Sequence, residues 1–313
     1  IGENSQVNSK GHLSLNAKNI EDILNVTIQG TGGLAAGVAG AVGVHDLDVI
    51  TKAYSNSGVK VNQSSGYESG GNISFNAEHA LGIDSTVVGA AFAGMGIGTA
   101  VDVANVVTQT NAYVGDNNAI KNTGSIDITA QENFGTEQDK IDSTVVSGTV
   151  AGGSINAGVS VYSYGSGMSD EDKKLLNVEN QQSIDAYVND YINKSNTENA
   201  LDDYVGNTVA SKVEQKVASR TLATNITNTS TNGNEGTAAK IGSGSNIASN
   251  GNVSVNATNS LASETNVGTG VAGCLALGAS IGVVNDNSKI NSIIDDNANI
   301  NVNKPEITIN AIT

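Results

Sequence analysis

Few side chains in this sequence are of the types that catalysis or metal binding requires. The chain has three histidines, His12, His45 and His79, and one cysteine, Cys274. Metal-binding histidines and cysteines usually recur at short, fixed spacings, and no such spacing occurs in the sequence. A Gly-x-Ser-x-Gly nucleophile motif is also absent from it. We therefore predict no metal, no cofactor and no catalytic residue.

Paired carboxylates are the remaining groups that could perform acid–base chemistry. Two of them on one face can act as the general acid and base of a glycan-cleaving β-helical enzyme. Such an enzyme also needs a cation to hold an acidic sugar, and the chain has one arginine, Arg220. No two acids recur in register to build a cleft, so this function is the least favoured alternative. The pairs are Asp46 with Asp48, Asp202 with Asp203, and Asp295 with Asp296.

Composition limits the fold more than it suggests a reaction. The chain of 313 residues has 15 Lys+Arg against 31 Asp+Glu, a net charge of −16, 37 glycines and no tryptophan. A nucleic-acid binder needs a basic face, which these numbers disfavour. One cysteine excludes a disulfide scaffold. The core must therefore consist mainly of Val, Ile, Ala and Gly, which favours repetitive β structure.

A seven-residue motif of alternating apolar residues recurs along the chain. Residues 71–77 read Gly-Asn-Ile-Ser-Phe-Asn-Ala, and residues 251–257 read Gly-Asn-Val-Ser-Val-Asn-Ala. Alternation with period two predicts a strand with one buried face. Successive copies begin 60, 53, 127 and 54 residues apart. Their first residues are Gly11, Gly71, Gly124, Gly251 and Pro305.

Each motif is followed by a nearly uncharged block of Gly, Ala and Val and then by an Asn-rich return. Since one such unit exposes an apolar face, stacked units would form a continuous core. We predict an all-β, repetitive β-solenoid resembling a parallel β-helix. In the alternative arrangement, each block is a long hairpin that projects from the stack and folds near Gly94 or near Gly152 and Gly153.

The repeat also predicts the surroundings of the isolated reactive residues. His12 occupies a motif position that holds other polar residues in the other copies, which indicates a solvent-facing site. His79 is expected to follow a strand, where Asn19 and Glu132 occupy the matching positions. Cys274 lies in an apolar block near the position that Met95 fills, so it is expected to be a small buried residue.

The uncharged blocks raise the question of membrane contact. Residues 267–284 contain no charge over eighteen positions, the length at which a helical span becomes feasible. The block is only weakly apolar, and Asp102 interrupts its second counterpart. No Lys or Arg cluster flanks it, which also disfavours a helical span. Insertion of these blocks into lipid as β-hairpins remains an alternative.

The long interval between the third and fourth copies predicts an insertion at residues 168–235. Its apolar residues follow helical spacing, for example Ile184, Tyr187, Val188 and Tyr191. We expect two or three short helices that stand off the repeats. Five of the eight tyrosines lie between positions 162 and 204, and tyrosine is common at contact surfaces. Tyr187, Tyr191 and Tyr204 are therefore candidate partner-binding residues, with packing of the helices as the alternative role.

The motif at 71–77, the following Asp-Ser-Thr-Val-Val-Gly-Ala-Ala at 84–91 and the Asn-rich return resemble the repeat regions of large secreted bacterial exoproteins. These are the filamentous-haemagglutinin-like adhesins and the related leukotoxin-type exoproteins. The resemblance covers nearly the whole chain except the insertion. It implies a secreted or cell-surface β-solenoid stalk, and it leaves adhesin and toxin as alternatives.

The sequence thus predicts three regions: repeats at 1–167, a helical insertion at 168–235 and repeats again at 236–313. Both ends fall inside the repeat, so we expect a fragment of a longer protein. The expected function is a non-enzymatic structural and adhesive rod segment, and the alternative is a segment of a membrane-active toxin. Expected partners are a receptor on a host-cell or bacterial surface, or further copies along a filament. Nucleic acid is not expected, and membrane contact belongs only to the toxin alternative.

Overall fold

We describe the protein from a computed structural model, which places residues 1–67, 70–122, 124–134, 140–165, 236–303 and 306–312. All regular structure in these ranges is β-strand, so the all-β prediction is confirmed for them. The predicted helices at 168–235, with Tyr187, Tyr191 and Tyr204, lie outside the described residues. In chain order the strands are β1 (Gln6–Val7), β2 (Leu13–Gly32), β3 (Ala36–Ser55), β4 (Lys60–Val61), β5 (Ile73–Val114), β6 (Ala119–Asn122), β7 (Ile126–Phe134), β8 (Ile141–Gly165), β9 (Gly236–Ile241), β10 (Asn246–Ser249), β11 (Val253–Leu261), β12 (Ser263–Ala272), β13 (Leu275–Asn287), β14 (Ile290–Ile294), β15 (Asn299–Val302) and β16 (Ile307–Ile312).

The described strands form two parallel sheets whose neighbours come from successive repeats. Five short strands make one sheet in the order β1-β4-β6-β10-β15, and the other eleven strands make the second sheet. Ile73 pairs with Leu13 on one side and with Ile126 on the other, and Val253 pairs with Ile126 and Ile307. The ladders therefore align the copies of the motif residue by residue, at the spacings read from the sequence.

A central core lies between three sets of strands. The motif strands contribute Phe75 and Ile128, the return strands contribute Val114, and the short strands contribute Ile120 and Ile247. Each of these side chains is buried almost completely. Burying a side chain of this size contributes roughly 1.5–3 kcal/mol, so each added repeat extends a substantial apolar core. Stacking of repeats is thus the main source of stability in this region.

Beyond the core, the long strand or pair of strands in each repeat reverses direction, so that its two halves face each other. The stacked reversals of the four repeats are here called the arch (residues 20–50, 80–107, 141–164 and 261–286). Leu81 and Ile83 in the first half of β5 pack against Ala104 and Val106 in its second half. The halves approach so closely that a Cβ at Gly89 would lie 2.2 Å from the carbonyl oxygen of Thr99. Glycine is therefore required there.

The chain reverses direction where the projecting-hairpin alternative places the turn, near Gly94 and near Gly152. Unlike the strands of a hairpin, its two halves do not form backbone hydrogen bonds with each other. Thr149 and Asn156, on either side of Gly152, form a hydrogen bond, and the equivalent break in the first repeat separates Gly32 from Ala36. The backbone hydrogen bonds of each half run to the neighbouring repeat, because β5 pairs with β3 and β8 along its second half. The two halves thus meet through side chains.

The ladder register changes at the place where the sequence predicts an insertion. On β5, Val106 pairs with Tyr164 at an offset of 58, and Gln109 pairs with Gly236 at an offset of 127. The offset increases by 69 residues. Only Val107 and Thr108 separate the two positions on β5. The chain therefore leaves the sheet after β8 and rejoins it at β9, and the two points are only two residues apart along the neighbouring strand β5.

Candidate functional site

A buried polar cluster lies inside the arch around Asp102. Its Oδ2 accepts hydrogen bonds from the Ser143 hydroxyl at 2.8 Å and from the Tyr162 hydroxyl at 2.7 Å. Ser143 is also 2.9 Å from Ser160, the residue that pairs with Asp102 in the ladder. The Asp102 side chain is 0% exposed. An isolated buried carboxylate would be strongly destabilising, so these donors make the charge tolerable in the interior.

The other carboxylate oxygen of Asp102 faces a histidine. His45 Nε2 lies 3.6 Å from Asp102 Oδ1 and 3.3 Å from the Ser85 hydroxyl. Burial alone would raise the pKa of Asp102, but the surrounding donors, led by His45, outweigh burial and hold the pKa below its ordinary value. A Cβ at Gly43 would lie 2.6 Å from Asp102 Oδ1, so the glycine provides the space that this carboxylate occupies.

A second buried cluster lies where the arch meets the central core, around Glu132. The hydroxyls of Thr110 and Thr237 donate to its two oxygens at 2.9 and 2.8 Å, and the Asn259 amide donates at 3.1 Å. His79 Nδ1 lies 3.9 Å from Glu132 Oε1. Burial would raise the pKa of Glu132, but the neighbouring polar groups, led by the nearby His79 ring and followed by the threonine hydroxyls, lower it below its ordinary value.

Both clusters are closed to solvent, since Asp102 is 0% and Glu132 is 1% exposed. Each brings together side chains from three successive repeats, and the hydrogen bonds to its carboxylate are charge-assisted, which are the stronger kind. These groups therefore fix the register of the stacked arches and position the arch surface.

The histidines occupy three different environments. His12 is exposed, as its motif position predicted. The expectation for His79 was wrong, because His79 lies within β5 and is fully buried. Its polar partners follow from the ladder, which aligns Asn19, His79, Glu132 and Asn259 in one column. The polar residues at the matching positions of the repeats could have indicated this column. They did not show whether it faces solvent or is buried, because buried polar residues that bond to one another give the same pattern.

The carboxylate pairs do not converge in the described residues. Asp46 and Asp48 lie on the exposed side of β3, where Asp46 accepts a hydrogen bond from Asn105 at 2.8 Å. Asp295 forms an ion pair with Lys240 at 2.5 Å, and Asp296 lies in an exposed turn. Asp202 and Asp203 lie outside the described residues. Within those residues, no three His, Cys, Asp or Glu side chains are grouped so that they could hold a metal ion.

The expected burial of Cys274 was wrong. Cys274 is exposed and lies between β12 and β13, at the fold-back of an outer arch. The ladder aligns Met95 with Gly153 and Leu275, so Cys274 falls one position away from the slot to which it was assigned. Residues 270–282 are all exposed, because β12 and β13 pair only with β8 among the described strands and have no repeat stacked on their other side.

One outer face of the arch presents large apolar side chains to solvent. Leu24 is 73% exposed, and Phe92, near the fold-back, is 57% exposed. Ladder pairing places Ile28, Val88 and Val146 in one row and Gly32, Phe92 and Val150 in another. Leu24 lies in a row with Asp84 and Asp142, so acidic residues border the apolar ones on this face. Exposed apolar residues that cluster in this way commonly mark contact surfaces. This arch face, defined by Leu24, Val26, Ile28, Phe92, Val146 and Val150, is the clearest candidate contact surface among the described residues.

Comparisons with protein-family models, curated proteins and solved structures found no match to this chain. The described residues include no helix that is long and apolar enough to cross a membrane. The candidate site therefore rests on its own geometry, which consists of an exposed apolar face on the arch, a buried polar cluster inside the arch and a second one where the arch meets the central core.

Proposed function

We propose that this chain is a structural and adhesive rod segment of a secreted or surface exoprotein, and that its repeats form a β-solenoid. The observation that carries the proposal is the parallel, in-register pairing of successive repeats in both sheets. Parallel strands lie about 4.8 Å apart, so each further repeat would lengthen the stack by about that distance. Such growth along one axis, at constant cross-section, is what a rod requires.

The open edges of the stack support the same proposal. In the described residues, β2 pairs only with β5, and β16 pairs only with β11. Both strands carry the apolar alternation of the motif, so another repeat fits against either edge. Unpaired edges of this kind favour addition of further strands, either from the same chain or from another copy along a filament.

A tandem fusion of two copies tests the rod. Small-angle scattering of the fusion should show a longer maximum dimension and an unchanged cross-sectional radius of gyration, relative to the single chain. A cross-section that grows with the second copy would contradict the solenoid.

Adhesion is assigned to the side surfaces of the rod. The arch face and the segment at 168–235, with Tyr187, Tyr191 and Tyr204, are the proposed contacts to a receptor on a host or bacterial surface. Binding of labelled chain to cultured cells should decrease when the three tyrosines are replaced by serine, and the variant Tyr67→Ser serves as a control. Equal binding by the unchanged chain, the triple tyrosine variant and Tyr67→Ser would show that residues 168–235 do not contribute to adhesion through these tyrosines.

The exposed arch face also favours one alternative, a segment of a membrane-active toxin. Phe92, Val146 and Val150 are the side chains that would contact lipid. Dye release from liposomes separates the alternatives, because a rod that only adheres leaves the vesicles intact. Release that disappears in the variant Phe92→Asp would favour the toxin function over the adhesive one.

A further inference from the structure

The arch has a second outer side, formed by β3, β13 and the second halves of β5 and β8, opposite the arch face. Val106 on this half of β5 points into the arch, so the alternating residues Val101 and Val103 point outward. Ladder pairing aligns Val101 with Val159 and Val103 with Val161. These four outward-pointing residues pack together and are here called the valine face.

The valine face is buried in a single chain, although it lies on an outer side of the arch. Val103 is 0% and Val161 is 5% exposed. Val44, which continues their row into the first repeat, is 43% exposed. Val146 also lies between two paired strands, on the arch face, and is 40% exposed. Neighbouring strands alone therefore leave an outward-pointing valine open to solvent, and the valine face must contact another part of this chain.

The position of the valine face indicates which part of the chain that is. Among the described residues, its cluster has one further member, Val283, which lies in the same row as Val103 and Val161. Residues 166–235 begin five positions after Val161 on β8, and Gly236, which follows them, pairs with β5 six positions after Val103. Both ends of this segment of 70 residues thus lie beside the valine face, within easy reach of it.

The sequence of this segment contains an apolar pattern that suits such a contact. Valine recurs at every fourth position from 205 to 217, a spacing that predicts an apolar stripe along one side of a helix. Asn207 and Ser211 fall on the opposite side of the same helical pattern. Short helices are marginally stable alone and gain most of their stability by packing an apolar side against another element. The valine stripe consists of Val205, Val209, Val213 and Val217.

We propose that the valine stripe of residues 205–217 packs against the valine face of the same chain. Burial of apolar surface on both partners drives the contact. A second copy of the chain is the less favoured occupant, because the valine face is already buried in a single chain. The assignment goes beyond the rod and adhesive functions, since neither requires residues 166–235 to contact the sheet.

A soluble paramagnetic agent, followed through the valine methyl signals of the full chain, tests the contact. In the unchanged chain the agent should broaden the signals of Val44 and leave those of Val103 and Val161 sharp, at low and at high protein concentration alike. Broadening of Val103 and Val161 in the unchanged chain overturns the proposal. Protection that is present only at high concentration also overturns it, in favour of a second copy as the occupant.

The double variant Val209→Asp, Val213→Asp places two charges within the valine stripe. The agent should then broaden Val103 and Val161 about as strongly as it broadens Val44, because the stripe no longer packs on the valine face. Continued protection of Val103 and Val161 in this variant overturns the proposal.

The matched control is the double variant Asn207→Asp, Ser211→Asp. It adds the same two charges to the opposite side of the helical pattern, so the valine face should stay protected. Equal broadening of the valine face in both double variants would mean that added charge, and not loss of the stripe, exposes it, which also overturns the proposal.

A nitroxide label detects the contact without changing the valine stripe. The label is attached to Lys212→Cys in a chain that also carries Cys274→Ser, since Cys274 is exposed. The methyl signals of the valine face should be lost, and those of Val253 in the central core should remain. A label at Lys10→Cys, an exposed position between β1 and β2, should leave all of these signals unchanged. Survival of the valine-face signals beside the label at position 212 overturns the contact, whatever the double variants show.

Discussion

The central core and the arch are built from the same repeats but are held together differently. In the core, apolar residues such as Ile73, Ile126 and Val253 follow one another down a column. In the arch, a buried aspartate stands beside Gly43 in one neighbouring repeat and Ser160 in the other. The core thus tolerates any repeat with the right apolar pattern, whereas the arch distinguishes one repeat from the next.

This difference has a physical basis in what each interaction specifies. Apolar packing is non-directional, so a column of Ile and Val stabilises stacking without distinguishing one apolar neighbour from another. Hydrogen bonds to a buried carboxylate have strict geometry and are costly when unmade. Asp102 and Glu132 therefore make the contacts between neighbouring arches specific, because their serine, threonine and tyrosine donors come from particular neighbours.

The largest expected effect comes from the core. Phe75→Ala removes the largest apolar side chain of the motif strands and should destabilise the protein by about 3–5 kcal/mol. Urea unfolding measures the change. Ser74→Ala, on the opposite side of the same strand, is the control and should change stability by less than about 0.5 kcal/mol. Similar values for the two variants would contradict a core held by the motif strands.

A slightly smaller loss is expected in the arch from Asp102→Ala. The variant leaves the Ser143 and Tyr162 hydroxyls buried without their acceptor and should cost about 3 kcal/mol in urea unfolding. Adding Ser143→Ala and Tyr162→Phe to it should restore part of that stability, because the stranded donors are removed as well. Additive losses in the triple variant would show that the cluster is not a coupled network.

The two regions also differ in how much of them the sequence predicts. Alternation at 73–77 and 253–257 suffices to predict the core strands and their register, because identical motifs align by themselves. The partners of Asp102 could not be found this way, since Ser143 and Tyr162 lie 41 and 60 residues away. They become neighbours only when the chain folds back near Gly94 and the repeats are offset by 58. Read along the chain, Asp102 is only a charge interrupting an apolar block.

Acid should weaken the buried clusters before it affects the apolar core. The pKa values of Asp102 and Glu132 lie below their ordinary values of 3.8 and 4.5. Their ionised forms therefore stabilise the fold fully above about pH 5, and this stabilisation is lost as the pH falls through the lowered values. Urea midpoints measured from pH 7 downward should decrease, and the decrease should be smaller in the double variant Asp102→Asn, Glu132→Gln. If the urea midpoints of the unchanged chain and the double variant decreased equally with pH, groups other than Asp102 and Glu132 would be responsible for the acid sensitivity.

The smallest effect is expected from removing the segment that interrupts the sheet. The strands on either side of residues 166–235 pair with β5 at Val106 and at Gln109, and only Val107 and Thr108 lie between these two positions. A two-residue link can therefore replace residues 166–235 without changing the pairing on either side. The hydrogen bonds of β8 and β9 to β5 are all made by residues that such a variant keeps. Its far-UV circular dichroism should keep the β signal, and urea unfolding should stay cooperative. A control that deletes 93–95 instead removes the fold-back of one arch and should lose cooperativity, because the two halves of β5 could no longer face each other. If the first variant also lost its β signal, residues 166–235 would belong to the folding core, and the division of the molecule into core and arch would be incomplete.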